Sequence, residues 1–192
     1  MSFYTNEELD RMGFAHLGQN VLVSRHASLY GIDRISIESN SRIDDFCVLS
    51  AGSGGIHIGR YVHIAVMCSL IGEERIALED FSGLSGRVSI YSSSDDYSGD
   101  HLTNPTVPAN LTQVDNKPVT LGRHVIIGSG SVILPGVTIG EGAAVGALAL
   151  VRKSLKPFTI YTGSPTKAIG PRSRRMLELE NLVSNKDSAA PE

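Results

Sequence analysis

Through Leu121-Gly122-Arg123-His124-Val125-Ile126-Ile127-Gly128-Ser129-Gly130-Ser131-Val132-Ile133-Leu134-Pro135-Gly136-Val137-Thr138-Ile139-Gly140-Glu141-Gly142-Ala143-Ala144-Val145-Gly146-Ala147-Leu148-Ala149-Leu150-Val151 an aliphatic residue returns at every sixth position: Leu121, Ile127, Ile133, Ile139, Val145 and Val151. Four places after each of the first five stands a small or β-branched residue, Val125, Ser131, Val137, Ala143 and Ala149. Six steps along an α-helix turn the chain through about 600°, so this period does not stay on one helix face. Six residues at about 3.3 Å each make a short strand and a corner, and three such strands close a triangular coil of about 18 residues. The aliphatic residue then fills the interior, the small one fits a tighter slot, and glycines such as Gly122, Gly128, Gly140 and Gly146 serve the corners. The pattern predicts an all-β solenoid, a parallel β-helix.

Searching backwards in phase finds further triplets: Leu17, Val23, Leu29; Ile37, Ile43, Leu49; Ile58, Ile64, Leu70; and Leu78, Leu84, Ile90. With the two triplets of the opening stretch they predict about six coils. Between triplets the spacing lengthens, always at the same corner, so the insertions stack along one edge. Most are short, but residues 91–120 form a long loop that the prism does not need for its own stability. Long loops inside a compact domain are uncommon and mostly functional, and the chemistry is expected there.

The chain has 192 residues and a formal charge of -3, and its pI is about 6.1. One domain's worth of chain, mostly used by coils, leaves no room for a second catalytic domain. The charge argues against a nucleic-acid binder. No basic stretch followed by an apolar run opens the sequence, and no apolar segment is long enough to span a membrane, so a cytoplasmic location is expected. Cys47 and Cys68 each follow a core aliphatic by four places and read as small interior hydrophobes. Residues 1–16 read as an N-terminal cap, in which Thr5 and Glu8 form a capping box and Gly13 stops a short helix. Residues 17–170 make the β-helix domain. Residues 171–192 read as a second helix, apolar at Met176, Leu177, Leu179, Leu182 and Val183, and an unstructured tail. Both caps would cover strand edges left open at the solenoid ends.

The run from Pro118 to Gly140, with Gly163-Ser164-Pro165-Thr166-Lys167 closing the solenoid, resembles the hexapeptide acyltransferases, most closely sugar acetyltransferases of bacterial surface polysaccharide biosynthesis. The resemblance implies left-handed coils, a homotrimer with active sites between neighbouring prisms, and acetyl-CoA as co-substrate with no metal. It implies that Ser129 and Ala147 hold the pantetheine arm through backbone groups. Arg152, Lys153 and Lys167 would face the cofactor's phosphates, which need charge-assisted partners. Phe3 to Leu9, Arg42 to Phe46 and Asp95-Asp96-Tyr97-Ser98-Gly99 are similar to a subgroup that acetylates nucleotide-linked, dTDP-type 4-amino-4,6-dideoxy sugars for lipopolysaccharide or capsule.

Many O-acetylating relatives carry a histidine just after the strand that ends at Ile90, as base towards a sugar hydroxyl; this chain has Asp95 and Asp96 there. A hydroxyl needs a base with a pKa near neutrality, which an ordinary carboxylate near 4 is not. An amine needs orientation and loss of a proton, which a carboxylate pair suits. Asp95 and Asp96 therefore point to N-acetylation, while His101, five residues on, keeps an O-acetyltransferase of the galactoside type open. His63, Asp44, Asp45 and Tyr97 are the candidate acceptor contacts, the two aspartates being expected on the coil surface. A zinc-dependent γ-type carbonic anhydrase needs three convergent histidines, and His57 and His63 belong on different faces. A non-catalytic scaffold would need neither the long loop nor the closing motif.

Overall fold

The computed structural model describes residues 2–187. It is a left-handed parallel β-helix whose three sheets form the faces of a triangular prism. Face 1 stacks His16–Leu17, Ile35–Ile37, Ile56–Ile58, Ile76–Leu78, Val119–Leu121 and Thr138–Ile139. Face 2 stacks Leu22–Val23, Arg42–Ile43, His63–Ile64, Gly83–Leu84, Ile126–Ile127, Ala144–Val145 and Thr159–Thr162, with Lys167–Pro171 added antiparallel at its end. Face 3 stacks Ser28–Tyr30, Val48–Ala51, Ser69–Gly72, Ser89–Tyr91, Val132–Ile133 and Leu150–Val151. Six coils are complete. A partial seventh, where Leu155 bridges Ile139 and Tyr161 pairs with Val145, goes beyond the six read from the period. Its aliphatic spacing is irregular, which hid it.

The interior follows the predicted phase. Ile43, Ile58, Ile64, Leu70, Ile90, Leu121, Ile127, Ile133, Ile139 and Val151 are fully buried, and Val125, Ser131, Val137, Ala143 and Ala149 fill the tighter slots. Burial of a side chain of this size stabilises by about 1.5–3 kcal/mol, which is how strands of two or three residues persist. Ser131 is accommodated because its hydroxyl donates to Gly146 O at 3.0 Å and accepts from Ala149 N at 3.1 Å. Cys47 and Cys68 are free and buried; their thiols donate to Ala65 O and Ser85 O at 3.1 and 3.2 Å.

The glycines after the core aliphatics do a different job from the one expected of them. A Cβ on Gly122, Gly128 or Gly140 would lie 2.8, 2.4 or 2.6 Å from backbone nitrogen of the next coil, so close stacking, not corner conformation, demands glycine. The left-handed conformation falls two residues later, and often on other residue types. Along the edge between faces 1 and 2 it is adopted by Asn20, Asn40, Tyr61, Phe81 and His124, with φ between 56° and 62°. Each costs about 1–2 kcal/mol. Contacts between successive coils offset the cost: Asn20 Nδ2 donates to Asn40 Oδ1 at 3.1 Å, and the rings of Tyr61, Phe81 and His124 stack at 4.9 and 5.1 Å.

Helix α1, Asn6–Arg11, opens on the expected capping box, with Glu8 N donating to Thr5 Oγ1 at 3.3 Å and Thr5 N to Glu8 Oε2 at 2.7 Å. Its Leu9 is buried against the first coils. Helix α2, Arg175–Asp187, leaves Leu179 and Leu182 exposed. Polar contacts tie it down: Glu180 pairs with Arg123 and lies 2.7 Å from His124 Nε2. The tail past Asp187 lies outside the described residues.

Candidate active site

All long insertions leave the prism at the edge between faces 3 and 1, as the spacing predicts. The longest closes on itself at the neck, where Lys117 N donates to Ser92 O at 2.9 Å and the buried Ser92 hydroxyl donates to Glu74 O at 2.6 Å. Beyond the neck, Ser93–Asp95 and Val114–Asn116 pair antiparallel, with Asp95 opposite Val114. This two-stranded stem was not legible in the sequence, because Ser93, Ser94 and Asp95 carry no strand signal.

The stem presents Asp95, Asp96, Tyr97 and His101 around a pocket of about 320 Å³ that Gln113 and Asp115 also line. The two aspartates differ sharply. Asp96 accepts from Ser98 N at 2.8 Å, Ser98 Oγ at 2.9 Å and His101 N at 3.1 Å, and its Oδ2 lies 3.3 Å from His101 Nδ1. The Ser98 amide and hydroxyl, then His101, hold its carboxyl down at about 2. Asp96 therefore organises the turn and orients the imidazole. Asp95 is exposed, and its carboxylate has no hydrogen bond or ion pair among the described residues. Tyr97 is almost fully exposed beside it.

Face 2 carries the second group of candidate residues, on the side of the prism opposite the loop edge. Asp44 does not stand on the surface as expected. It is buried, with Arg42 Nε donating to Oδ1 at 2.6 Å and His63 Nε2 2.9 Å from Oδ2. Burial pushes its carboxyl up, but His63 and Arg42 together outweigh burial and the net shift is downwards. Asp45 is half-buried and accepts from the Ser24 hydroxyl. Both aspartates are thus engaged by partners of the same chain, and Asp44 holds the His63 imidazole. The His63 imidazole is about half exposed and forms one wall of a notch of about 330 Å³ with Ala65, Gly83, Ser85, Gly86 and Ile126. Within one chain the notch and the loop pocket do not meet.

Ser129 and Ala147 lie exposed on successive coils along the edge between faces 2 and 3, where Leu148 N donates to Ser129 O at 2.9 Å. One coil further, Gly130 N donates to Gly86 O at 3.1 Å. The row of corner residues therefore descends from Ala147 through Ser129 to Gly86 at the notch. Just past the last face 3 strand, Leu150–Val151, Arg152 and Lys153 line a cleft of about 220 Å³ with Pro165 and Thr166, and Lys167 follows directly in the closing strand. His57 points away on face 1, near Arg34 and Arg75. Among the described residues no group of three or more His, Cys, Asp or Glu side chains is placed to hold a metal ion, and no helix is long and apolar enough to cross a membrane.

Prism, stacked glycines, corner loop and closing strand define a hexapeptide-repeat transferase, and residues 118–153 match the family described as bacterial transferase hexapeptide (six repeats). The chain belongs to the hexapeptide-repeat acyltransferases. Among curated relatives it is 49% identical over 182 residues, 95% of each chain, to dTDP-4-amino-4,6-dideoxy-D-glucose acyltransferase of Escherichia coli. Among solved structures it is similar to AntD, an N-acyltransferase from Bacillus cereus. In complex with dTDP and 3-hydroxybutyryl-CoA, AntD superimposes with a TM-score of 0.92 at 45% identity, covering 97% of this chain and 98% of that one. A serine variant of AntD holds dTDP-4-amino-4,6-dideoxyglucose and coenzyme A and gives a TM-score of 0.93, at 96% and 98% coverage.

Proposed function

We propose that the protein transfers an acyl group from a coenzyme A thioester to the amine of dTDP-4-amino-4,6-dideoxyglucose or a close isomer, in the cytoplasm, for O-antigen or capsule synthesis. The observation that carries the reading is the division of labour between Asp95 and Asp96. A carboxylate held at about 2 is a poor base, so neither a hydroxyl nor an ammonium is deprotonated by Asp96. The free carboxylate of Asp95 is suited to hold an amino group by charge-assisted hydrogen bonds. The amine lone pair attacks the thioester carbonyl, the C–N bond forms, and the tetrahedral intermediate expels the thiolate. With a thiol pKa of about 8.5, the departing sulfur is a better proton acceptor than an ordinary carboxylate and takes the proton released from nitrogen.

One feature supports a trimer with shared sites. The loop pocket and the His63 notch lie on opposite sides of one prism, so a second copy is needed to bring the loop of one chain to face 2 of the next. The donor fits the row from the Arg152 and Lys153 cleft through Ala147 and Ser129, with Lys167 near the phosphates.

The test is thiol release with acetyl-CoA and with 3-hydroxybutyryl-CoA against dTDP-4-amino-4,6-dideoxyglucose and simple galactosides. We expect turnover with the amino sugar and a fall in kcat on the order of 10²-fold in Asp95→Asn. The Asp96–His101 pair favours one second reading, in which His101 is base towards a hydroxyl. Turnover restricted to galactosides and abolished in His101→Ala would establish that reading and remove the first.

A further inference from the structure

Nothing within its own chain requires Gly83 to be glycine. It lies in the strand Gly83–Leu84, paired with His63 on one side and Ile126 on the other. Its φ is outside the left-handed region, and a Cβ would meet nothing nearer than His63 O at 3.9 Å. The stacking glycines differ in this respect, and so does Gly86, whose Cβ would lie 3.3 Å from Val66 O. Glycine inside a strand weakens it, and where neither turn nor backbone contact requires it, it marks a place that a ligand enters. In the outward row of face 2 the absent side chain leaves the notch between the His63 imidazole and Ile126, floored by Gly83 and bounded by Ser85 and Gly86.

The notch lies at the end of a polar-to-apolar path. Arg152 and Lys153 suit the phosphate end of a coenzyme A thioester, and each coil below shifts the path by about 4.8 Å. Past Ala147 and Ser129, with the phosphates uppermost, the thioester end arrives at Gly86. We propose that the acyl group of the donor sits in the notch over Gly83, and that the missing side chain there makes room for acyl groups larger than acetyl, including four-carbon ones. Gly83 and Ile126 are then the residues that set donor specificity. The assignment rests on the acyltransferase reading above but is independent of which acceptor is used.

The experiment measures calorimetric affinities of acetyl-CoA and 3-hydroxybutyryl-CoA for the full chain without acceptor, then competitive transfer of the two acyl groups to the amino sugar. Gly83→Val should shift both ratios towards acetyl by about tenfold or more, Gly83→Ala in the same direction by less, and Ile126→Ala in the opposite direction. Ratios unchanged within about twofold in all three folded variants overturn the proposal, since one methylene in a fitted pocket is worth about tenfold or more. Gly83→Ala introduces no clash and keeps the test available if the valine variant does not fold. Affinity ratios that move while neither acyl group reaches the amino sugar uphold the acyl seat and remove the acceptor reading. Transfer to the amino sugar with unmoved ratios does the reverse.

Discussion

Asp95 and Asp96 are neighbours of identical chemistry, and the fold gives them opposite tasks. The sign of the pH response follows from the bonds of Asp96. Its folded pKa of about 2 lies below that of an ordinary aspartate carboxyl, so its contribution is fully present above the unfolded value and is lost as the pH falls through about 2. Hydrogen exchange of the Ser98 and His101 amides, followed from pH 5 to pH 2, should show protection in the loop lost over this window; a flat profile would contradict the turn. The sequence did contain the cue, since Asp96-Tyr97-Ser98 is an Asp-x-Ser turn signal, but in the sequence the pair reads as one unit. The buried position of Asp44 had no such cue, because it depends on Arg42 and on His63 one coil away. Gly83 allows a second measurement at this scale. Alanine meets no close atom there, so Gly83→Ala should raise the unfolding free energy by about 0.5–1 kcal/mol in urea titrations.

Helix α1 was legible because its determinants, Thr5 and Glu8, are three residues apart; Thr5→Ala should cost about 1 kcal/mol, read as a lower urea midpoint. Helix α2 was legible as a helix, but not the manner of its attachment. His124 is buried beneath Phe81 and bonded to Glu180, a contact spanning 56 residues that no local pattern announces. Arg172 anchors the same corner, its Nη1 donating to His124 O at 2.8 Å, Ala143 O at 3.1 Å and Gly142 O at 3.2 Å. Desolvation lowers its pKa, yet the guanidinium remains charged. Arg172→Ala leaves those carbonyls without their donor and should destabilise by about 1–3 kcal/mol. Limited proteolysis should then release helix α2 before the coils are cut.

The six-residue period specified coil size, interior phase and the edge that carries insertions, because each coil buries its residues mainly against its two neighbours. Handedness was not in the period; it came from the resemblance, and in the molecule it appears with the left-handed corner residues. Nearest-neighbour packing also governs how damage spreads. Ile64→Ala, which empties a fully buried position, should cost about 2–5 kcal/mol. In amide exchange the loss should be greatest in its own coil and the two adjoining ones and fade towards both ends; uniform loss would mean the prism unfolds as a single unit. The neck between Ser92 and Lys117 carries this locality to the corner insertion. Its two ends meet through the Lys117–Ser92 backbone bond, and Ser93 adds a bond from Glu73 N at 2.8 Å at the base, so what lies beyond is, to the prism, little more than a stitch. Exchanging residues 93–116 for a segment of another length should therefore leave the melting behaviour of the coils nearly untouched while changing the acceptor, which makes the loop an interchangeable cassette on a fixed spindle.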